Sequence, residues 1–475
     1  MSDRTHTSNT SDTNKVSTGQ KLAWGVGGVA DTFMANTLNQ LVMPIYNIGL
    51  GVDARLVGLA LGLPRILDAF TDPFMGNVSD NTRTRWGRRR PYIFCGAILS
   101  AILYAMIWMP PASLGETGLF VYLLVVSTVF FVAYTIFSIP FGALVFEMTP
   151  DTHERTRIIS CRTFFLGAAL IAIPWLYWLS LVGGNEVIGV RYVGFLVAVL
   201  IIIFGIPPAI FCRENPRALK QLKIRFTEAV RLTLANRPFV WITGVLLFVL
   251  IGFNLIAPLS LYLNIYYVFE GDKELASELQ GWGLSLWAVL GMASLPLITH
   301  AAKRWGKKIT LFAGQALMIA TSLVSWLTYS PEYPYLQLIS VGLAGPALFC
   351  ILIMTASMLT DVCDLDELRS RLRREGMYMA MNAFIVKAGF GAANMLSGYL
   401  LEFAGYSPDV VPSELTITSL RLLYAVVPAA FCALTFAMNW AYPLSERKLK
   451  QIRRVLDARI RRAALADRGA AADAL

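Results

Sequence analysis

Charge is what this sequence has least of. Only 15% of its 475 residues are Asp, Glu, Lys or Arg, against roughly 25% in an ordinary soluble domain. Histidine is nearly missing, and His6, His153 and His300 are scattered, which speaks against a metal site. The six cysteines, Cys95, Cys161, Cys212, Cys350, Cys363 and Cys432, include no Cys-x-x-Cys pair. None falls in a segment expected on the outer side of the membrane, so no disulfide is expected. The first 20 residues hold no short apolar run before a small-residue cleavage site, so no cleaved signal peptide is expected. They read as a disordered cytoplasmic tail. No Ser-His-Asp arrangement, nucleotide-binding loop or appended signalling domain stands out. Together these absences exclude a disordered chain, a collagen-like chain and an ordinary cytosolic enzyme.

What is present is apolar. Fifty-six per cent of the residues are hydrophobic. They gather in runs at about 21–48, 55–79, 91–110, 117–149, 158–183, 190–212, 238–269, 279–302, 308–329, 334–360, 377–404 and 416–443. A membrane-spanning helix takes about 20–25 residues, so the chain has room for twelve and for little soluble structure. The runs are far too long for barrel strands. The expected fold class is an all-α membrane protein of twelve transmembrane helices.

The net charge of +10 would suit nucleic acid if the basic residues shared one patch. They do not. Of the 41 Lys and Arg residues, 34 lie in alternate intervening segments: the N-terminal segment through Lys21, 80–90, 150–157, 213–237, 303–308, 361–376 and the C-terminal tail. The other intervening segments hold only Arg55, Arg191, Lys273 and Arg421. Arg65, Arg162 and Lys387 fall inside helices. The positive-inside rule then puts both termini in the cytoplasm, as an even number of spans requires. Nucleic acid drops out, and the lipid bilayer is the expected partner.

The two halves echo each other. Arg85-Trp86-Gly87-Arg88-Arg89 follows the second span, and Arg304-Trp305-Gly306-Lys307-Lys308 follows the eighth. Met148-Thr149-Pro150-Asp151 follows the fourth, and Leu359-Thr360-Asp361 the tenth. Such repeats imply a six-plus-six duplication, the architecture of the major facilitator superfamily. The expected organisation is a tail over 1–20, a six-helix bundle over 21–212 and a cytoplasmic linker over 213–237. A second bundle over 238–443 and a basic tail over 444–475 complete it. The linker is read equally well as a short amphipathic surface helix or as a solvated connection.

A charge at a helix centre costs about 2.5–3.5 kcal/mol on insertion scales, so each needs a reason. Candidates are Asp31, Arg65, Asp68, Asp72, Glu147, Arg162 and Lys387. For Glu147 and Glu402, near helix ends, a structural ion pair or snorkelling is the simpler account. Arg65 is three residues before Asp68, close enough to neutralise it. Asp68 and Asp72 are one turn apart on one face, and two such carboxylates in low dielectric repel unless a proton or a cation intervenes. That spacing is the means of building a Na⁺ or H⁺ site.

Residues 65–93 read RILDAFTDPFMGNVSDNTRTRWGRRRPYI. This stretch closely resembles the glycoside–pentoside–hexuronide:cation symporters, the melibiose permease family within the major facilitator superfamily. Trp24-Gly25 with Gly28 and Asp31, Tyr134-Thr135 with Ile139-Pro140, Arg162-Thr163-Phe164-Phe165, Met358 to Asp361 and Phe384 to Gly389 extend the resemblance over most of 20–445. It implies a cation-coupled sugar carrier without a cofactor, working as a monomer in a bacterial inner membrane. It also implies that Asp68, Asp72 and Thr135 bind the coupling cation and that Asp31 and Arg162 hold the sugar from opposite sides. Lys387 would lie near both. Trp24, Tyr134 and Asn382 are candidate pocket liners, and packing explains each of them equally well.

Two positions depart from the melibiose type. Ser138 stands where those carriers have an aspartate, and Gly142 where they have a sugar-stacking aromatic residue. Ser138 can still offer an oxygen to a cation or a hydroxyl to a sugar. The wider pocket suits a larger glycoside, and leaves a lysophospholipid as the alternative cargo. A non-transporting membrane sensor is the remote alternative. The basic loop Arg85, Arg88, Arg89 and Arg90, with its counterpart at 304–308, is expected to form a cytoplasmic gate, pairing with Asp80, Asp151, Asp361 or Asp364 when the inner side is closed.

Overall fold

The computed structural model describes residues 16–149, 151–214, 226–372, 374–408, 410–444, 448–456 and 458–459. Expectations for residues 1–15, for 215–225 of the linker and for 460–475 lie outside the described residues.

Among the described residues, twelve helical rods follow in chain order. The first six are Thr18–Val42 continued by Met43–Gly49, Ala54–Asn81, Arg90–Ile107, Glu116–Met148, Thr152–Ala172 continued by Trp175–Leu181, and Glu186–Phe211. The last six are Arg237–Leu263 continued by Asn264–Val268, Lys273–Ala293 continued by Leu295–Trp305, Lys307–Thr328, Gln337–Ser370, Glu375–Phe403 and Glu414–Ala441. A short helix, Phe226–Leu234, lies between the two sets, inside the expected linker. Side chains start many of the rods. Asp53, Asp151, Asn185 and Asp272 each accept a backbone N–H from the first turn that follows, satisfying donors that would otherwise be orphaned.

By length and composition nine of the described helices can each cross a bilayer, and ten when the bent pair Lys273–Ala293 and Leu295–Trp305 counts as one span. The first and second rods fall below that threshold. They are the two that carry Asp31, Arg65, Asp68 and Asp72, and they bury those charges against other helices rather than in lipid. The tenth rod runs ten residues past its expected end at 360, to Ser370. The apolar pattern marks where the membrane ends, whereas the helix continues because its acids find basic partners.

The duplication is visible in the backbone. The first and the seventh rods both end in a widened π-helical turn, Met43–Gly49 and Asn264–Val268. Gly87 and Gly306, at equivalent places in the two basic loops, have φ of 111° and 92°, a region that side-chain-bearing residues avoid.

The two bundles meet most closely where the second rod crosses the eleventh. A Cβ on Gly62 would collide with the Gly391 carbonyl, and one on Gly398 with the Ala54 carbonyl. Small residues let backbones touch inside a bilayer, and this crossing sets the lateral position of Lys387. One end of the molecule, the basic end, carries the start of the first rod, the end of the last rod and the loops 83–90 and 303–308.

Candidate functional site

The site forms around the middle of the first, second, fourth, fifth and eleventh rods. Asp68 and Asp72 project from one face of the second rod, as their spacing of four requires. Thr135 of the fourth rod donates a short hydrogen bond to Asp68 and lies 3.3 Å from Asp72 Oδ1. Its hydroxyl also sits 3.2 Å from that of Thr71, a neighbour that sequence reasoning missed. The Lys387 ammonium reaches across from the other bundle, 2.5 Å from Asp72 Oδ2 and 3.1 Å from Asp68 Oδ2. It therefore occupies the space between the two carboxylates.

The two aspartates differ in access. The Asp68 side chain is fully sealed, whereas that of Asp72 is 17% exposed. Arg65 backs Asp68 at 3.6 Å and lies over the faces of Phe131 and Tyr134. Its guanidinium is a further member of the cluster, not only a local neutraliser. The Ser138 hydroxyl, one turn beyond Thr135, is buried and has no hydrogen-bond partner among the described residues.

A second cluster lies beside the first. Arg162 pairs with Asp31 at 2.7 Å, and the Tyr134 hydroxyl donates to the other Asp31 oxygen at 3.2 Å. Asp31 and Arg162 were expected on opposite sides of a sugar; here they join directly on one wall. Trp24 is almost wholly buried, donates its indole N–H to the Phe141 carbonyl and stacks on the Phe141 ring. Arg162 lies over both of those rings. Asn382, half-buried, accepts from Thr243 and belongs to the seventh–eleventh rod contact. A Cβ on Gly142 would meet nothing within 4 Å, so that departure opens space.

The residues expected to gate pair within bundles, not between them. Arg89 binds Asp80 and Glu147, and Arg88 binds Glu147 at 2.8 Å. Arg90 donates to the carbonyls of Ala209 and Ile210 at the end of the sixth rod. Asp361 pairs with Lys307 and Arg453, and Asp364 with Arg453. Asp151 caps the fifth rod, and Arg85 lies in the turn beside Trp86. The reason is proximity: each loop folds back on the helix ends of its own bundle.

The bundles are instead bridged at the opposite end. Lys273 pairs with Glu186 at 2.6 Å, Arg55 with Glu402 at 2.8 Å, and the Tyr262 hydroxyl donates to Asn47 at 2.5 Å. Trp175 donates to Ser285 at 2.9 Å. Each pair joins residues at least 87 positions apart, so local spacing carries no signal of it.

Two six-helix bundles with a charged cluster at their interface define a polytopic carrier of the major facilitator kind. The family described as MFS/sugar transport protein matches over residues 23–446, and the chain belongs to it. Among curated relatives, the glucuronide carrier protein homolog of Escherichia coli (strain K12) is 25% identical, covering 91% of this chain and 95% of its own. The isoprimeverose transporter of Lactiplantibacillus pentosus is 26% identical, covering 87% and 86%. A solved D-xylose-proton symporter shares the fold with a TM-score of 0.64 at 13% identity, covering 91% of this chain and 98% of its own. These matches bear out the resemblance to the glycoside–pentoside–hexuronide:cation symporters. The chain is a membrane transporter and not an enzyme.

Proposed function

We propose that this chain carries a sugar or glycoside into the cell together with Na⁺ or H⁺, by alternating access, across a bacterial inner membrane with both termini cytoplasmic. The observation that carries the reading is the position of Lys387. Its ammonium stands between Asp68 and Asp72, where two close carboxylates need positive charge. A coupling cation takes that place by displacing the ammonium, with Thr135 and the unpartnered Ser138 hydroxyl as neutral oxygens. Asp31, Arg162 and Tyr134 then offer acceptors and donors to sugar hydroxyls. Tyr134 links the two clusters, since its ring lies 5.7 Å from the Lys387 ammonium while its hydroxyl binds Asp31. A cation that moves Lys387 therefore alters the sugar wall, and the sugar alters cation binding by the same free energy.

The bridges at the end opposite the basic loops hold the bundles closed on that side. With the basic loops on the cytoplasmic side, closure at the other end corresponds to an inward-facing conformation. Purified protein in liposomes is the test, with sugar-stimulated ion flux measured with and without Na⁺. Gradient-driven accumulation is expected in wild type and is expected to fall at least about 100-fold in Asp68→Asn and Asp72→Asn. Normal accumulation by both variants overturns the coupling assignment.

A further inference from the structure

A cavity of about 240 Å³ lies between the bundles on the side away from the basic loops. Asn36, Asn39, Gln40, Asn254, Gln280 and Tyr424 line it, with serine and threonine hydroxyls of the ninth and tenth rods. Phe253 and Trp287, stacked with ring centroids 6.0 Å apart, add an aromatic wall. The Trp287 indole N–H is buried without a hydrogen-bond partner among the described residues. No Asp, Glu, Lys, Arg or His contributes to the lining among the described residues.

We propose that this cavity is a second binding subsite, and that it takes an uncharged, hydroxyl-rich ring of the substrate. The inference rests on the symport reading above and narrows its cargo to a neutral glycoside of at least two units. Three observations support it. First, the chemistry matches. Neutral amides and hydroxyls present both donors and acceptors to sugar hydroxyls, and aromatic faces cover apolar ring surfaces. Second, the size matches. Drug-sized ligands occupy pockets of about 300–1,000 Å³, so this volume suits one ring and not a whole disaccharide. Third, the place matches. Along the first rod, Asn36 and Gln40 lie about 8 Å and about 14 Å beyond Asp31 at 1.5 Å per residue. One ring on the Asp31–Arg162 wall thus leaves the next within reach of the cavity.

The same structure disfavours an acidic sugar. Each cation of the central site already faces a carboxylate: Arg162 faces Asp31, Arg65 faces Asp68, and Lys387 faces both Asp68 and Asp72. A substrate carboxylate in the uncharged cavity would be desolvated without a partner. The one arrangement that favours an acid is capture by Lys387 after the coupling ion has displaced it, and the experiment includes that outcome.

The full chain in liposomes is assayed for sugar-stimulated cation flux. The probes are glucose, galactose and xylose, a neutral disaccharide built from each, and glucuronate and galacturonate. A neutral disaccharide is expected to give the highest kcat/KM, with the acids at least about tenfold lower. Asn254→Leu is expected to raise KM for that disaccharide about tenfold, and to leave KM for the free sugar within about twofold. Ser322→Ala, a smaller change in the same lining, is expected to shift the same ratio in the same direction should Asn254→Leu fail to fold. An acid as the best substrate overturns the proposal and leaves symport standing. So does an equal rise in both KM values. Absence of flux with every probe overturns the symport reading itself, and the subsite with it.

Discussion

The two bundles share a scaffold and divide the chemistry. In each, a basic loop after the second helix of the bundle is tied to an acid at the end of its fourth. Arg88 meets Glu147 at 2.8 Å in one, and Lys307 meets Asp361 at 2.7 Å in the other. In each, the first helix ends in a π-helical turn. The middle of the membrane is different. The N-terminal bundle places Asp31, Arg65, Asp68, Asp72 and Arg162 there. The C-terminal bundle adds Lys387 and otherwise pairs neutral groups, such as Ser260 with Gln280 and Gln315 with Thr435. The lesson is that the duplicated features stabilise helix ends, where charge is cheap. The costly buried charges are concentrated in one copy, where an ion can be exchanged against them.

Removing the single charge that the C-terminal bundle contributes should break this division most severely. Lys387→Gln leaves Asp72 without a cation and Asp68 with Arg65 alone. Accumulation is expected to fall about 100-fold, while the apparent affinity for the coupling ion rises because its competitor is gone. The cation dependence of sugar binding, read by tryptophan fluorescence, checks this. An unchanged cation dependence would show that Lys387 does not compete with the ion.

The shared scaffold can be weighed next. Glu147→Gln strips partners from Arg88 and the buried Arg89, and about 3–5 kcal/mol of stability should be lost. Its counterpart Asp361→Asn should cost less, about 1–3 kcal/mol, because its partners Lys307 and Arg453 are 26% and 53% exposed and water can replace the lost acid, whereas Arg89 is 8% exposed. Unfolding of both variants in one detergent gives the order. A larger loss for Asp361→Asn would mean that burial does not set the cost.

The smallest effect is expected at the bridge between bundles. Lys273 is one-third exposed, so Lys273→Ala should remove only about 0.2–1 kcal/mol from the closed end. That shifts a two-state balance at most several-fold toward the opposite conformation. In a background where Cys161 is the sole cysteine, its alkylation should slow accordingly. Cys161 is half-buried beside Gly25, next to Arg162 at the central site that opens toward the basic side. Unchanged or faster alkylation would contradict the role of this bridge.

Much of the fold was legible because lipid imposes a compositional rule. Runs of about 20 apolar residues reported the spans, and the placement of Lys and Arg reported their alternation. The helices that escape the apolar rule, the first and second, are those whose charges face protein. Asp68 and Asp72 were legible for the same reason, since a pair of acids one turn apart has no inexpensive explanation in a membrane. Of the acids expected to pair with the basic loops, Asp80 meets Arg89 and Asp361 meets Lys307, each within its own bundle. Sequence shows which charges are available near a loop, and the nearest acids turned out to belong to the same bundle.

Composition and local spacing therefore determined the class, the repeat and the candidate ion site, because desolvation cost attaches to each residue wherever the chain goes. Pairing does not. Lys387 reaches Asp72 across 315 residues, and Lys273 reaches Glu186 across 87. Such contacts exist only after helices pack, and Gly62 and Gly391 govern that packing without bearing any charge themselves. Tertiary structure alone decided which cation fills the aspartate pair, which end is closed and where an uncharged cavity opens. Each depends on the distance between surfaces that the sequence keeps far apart.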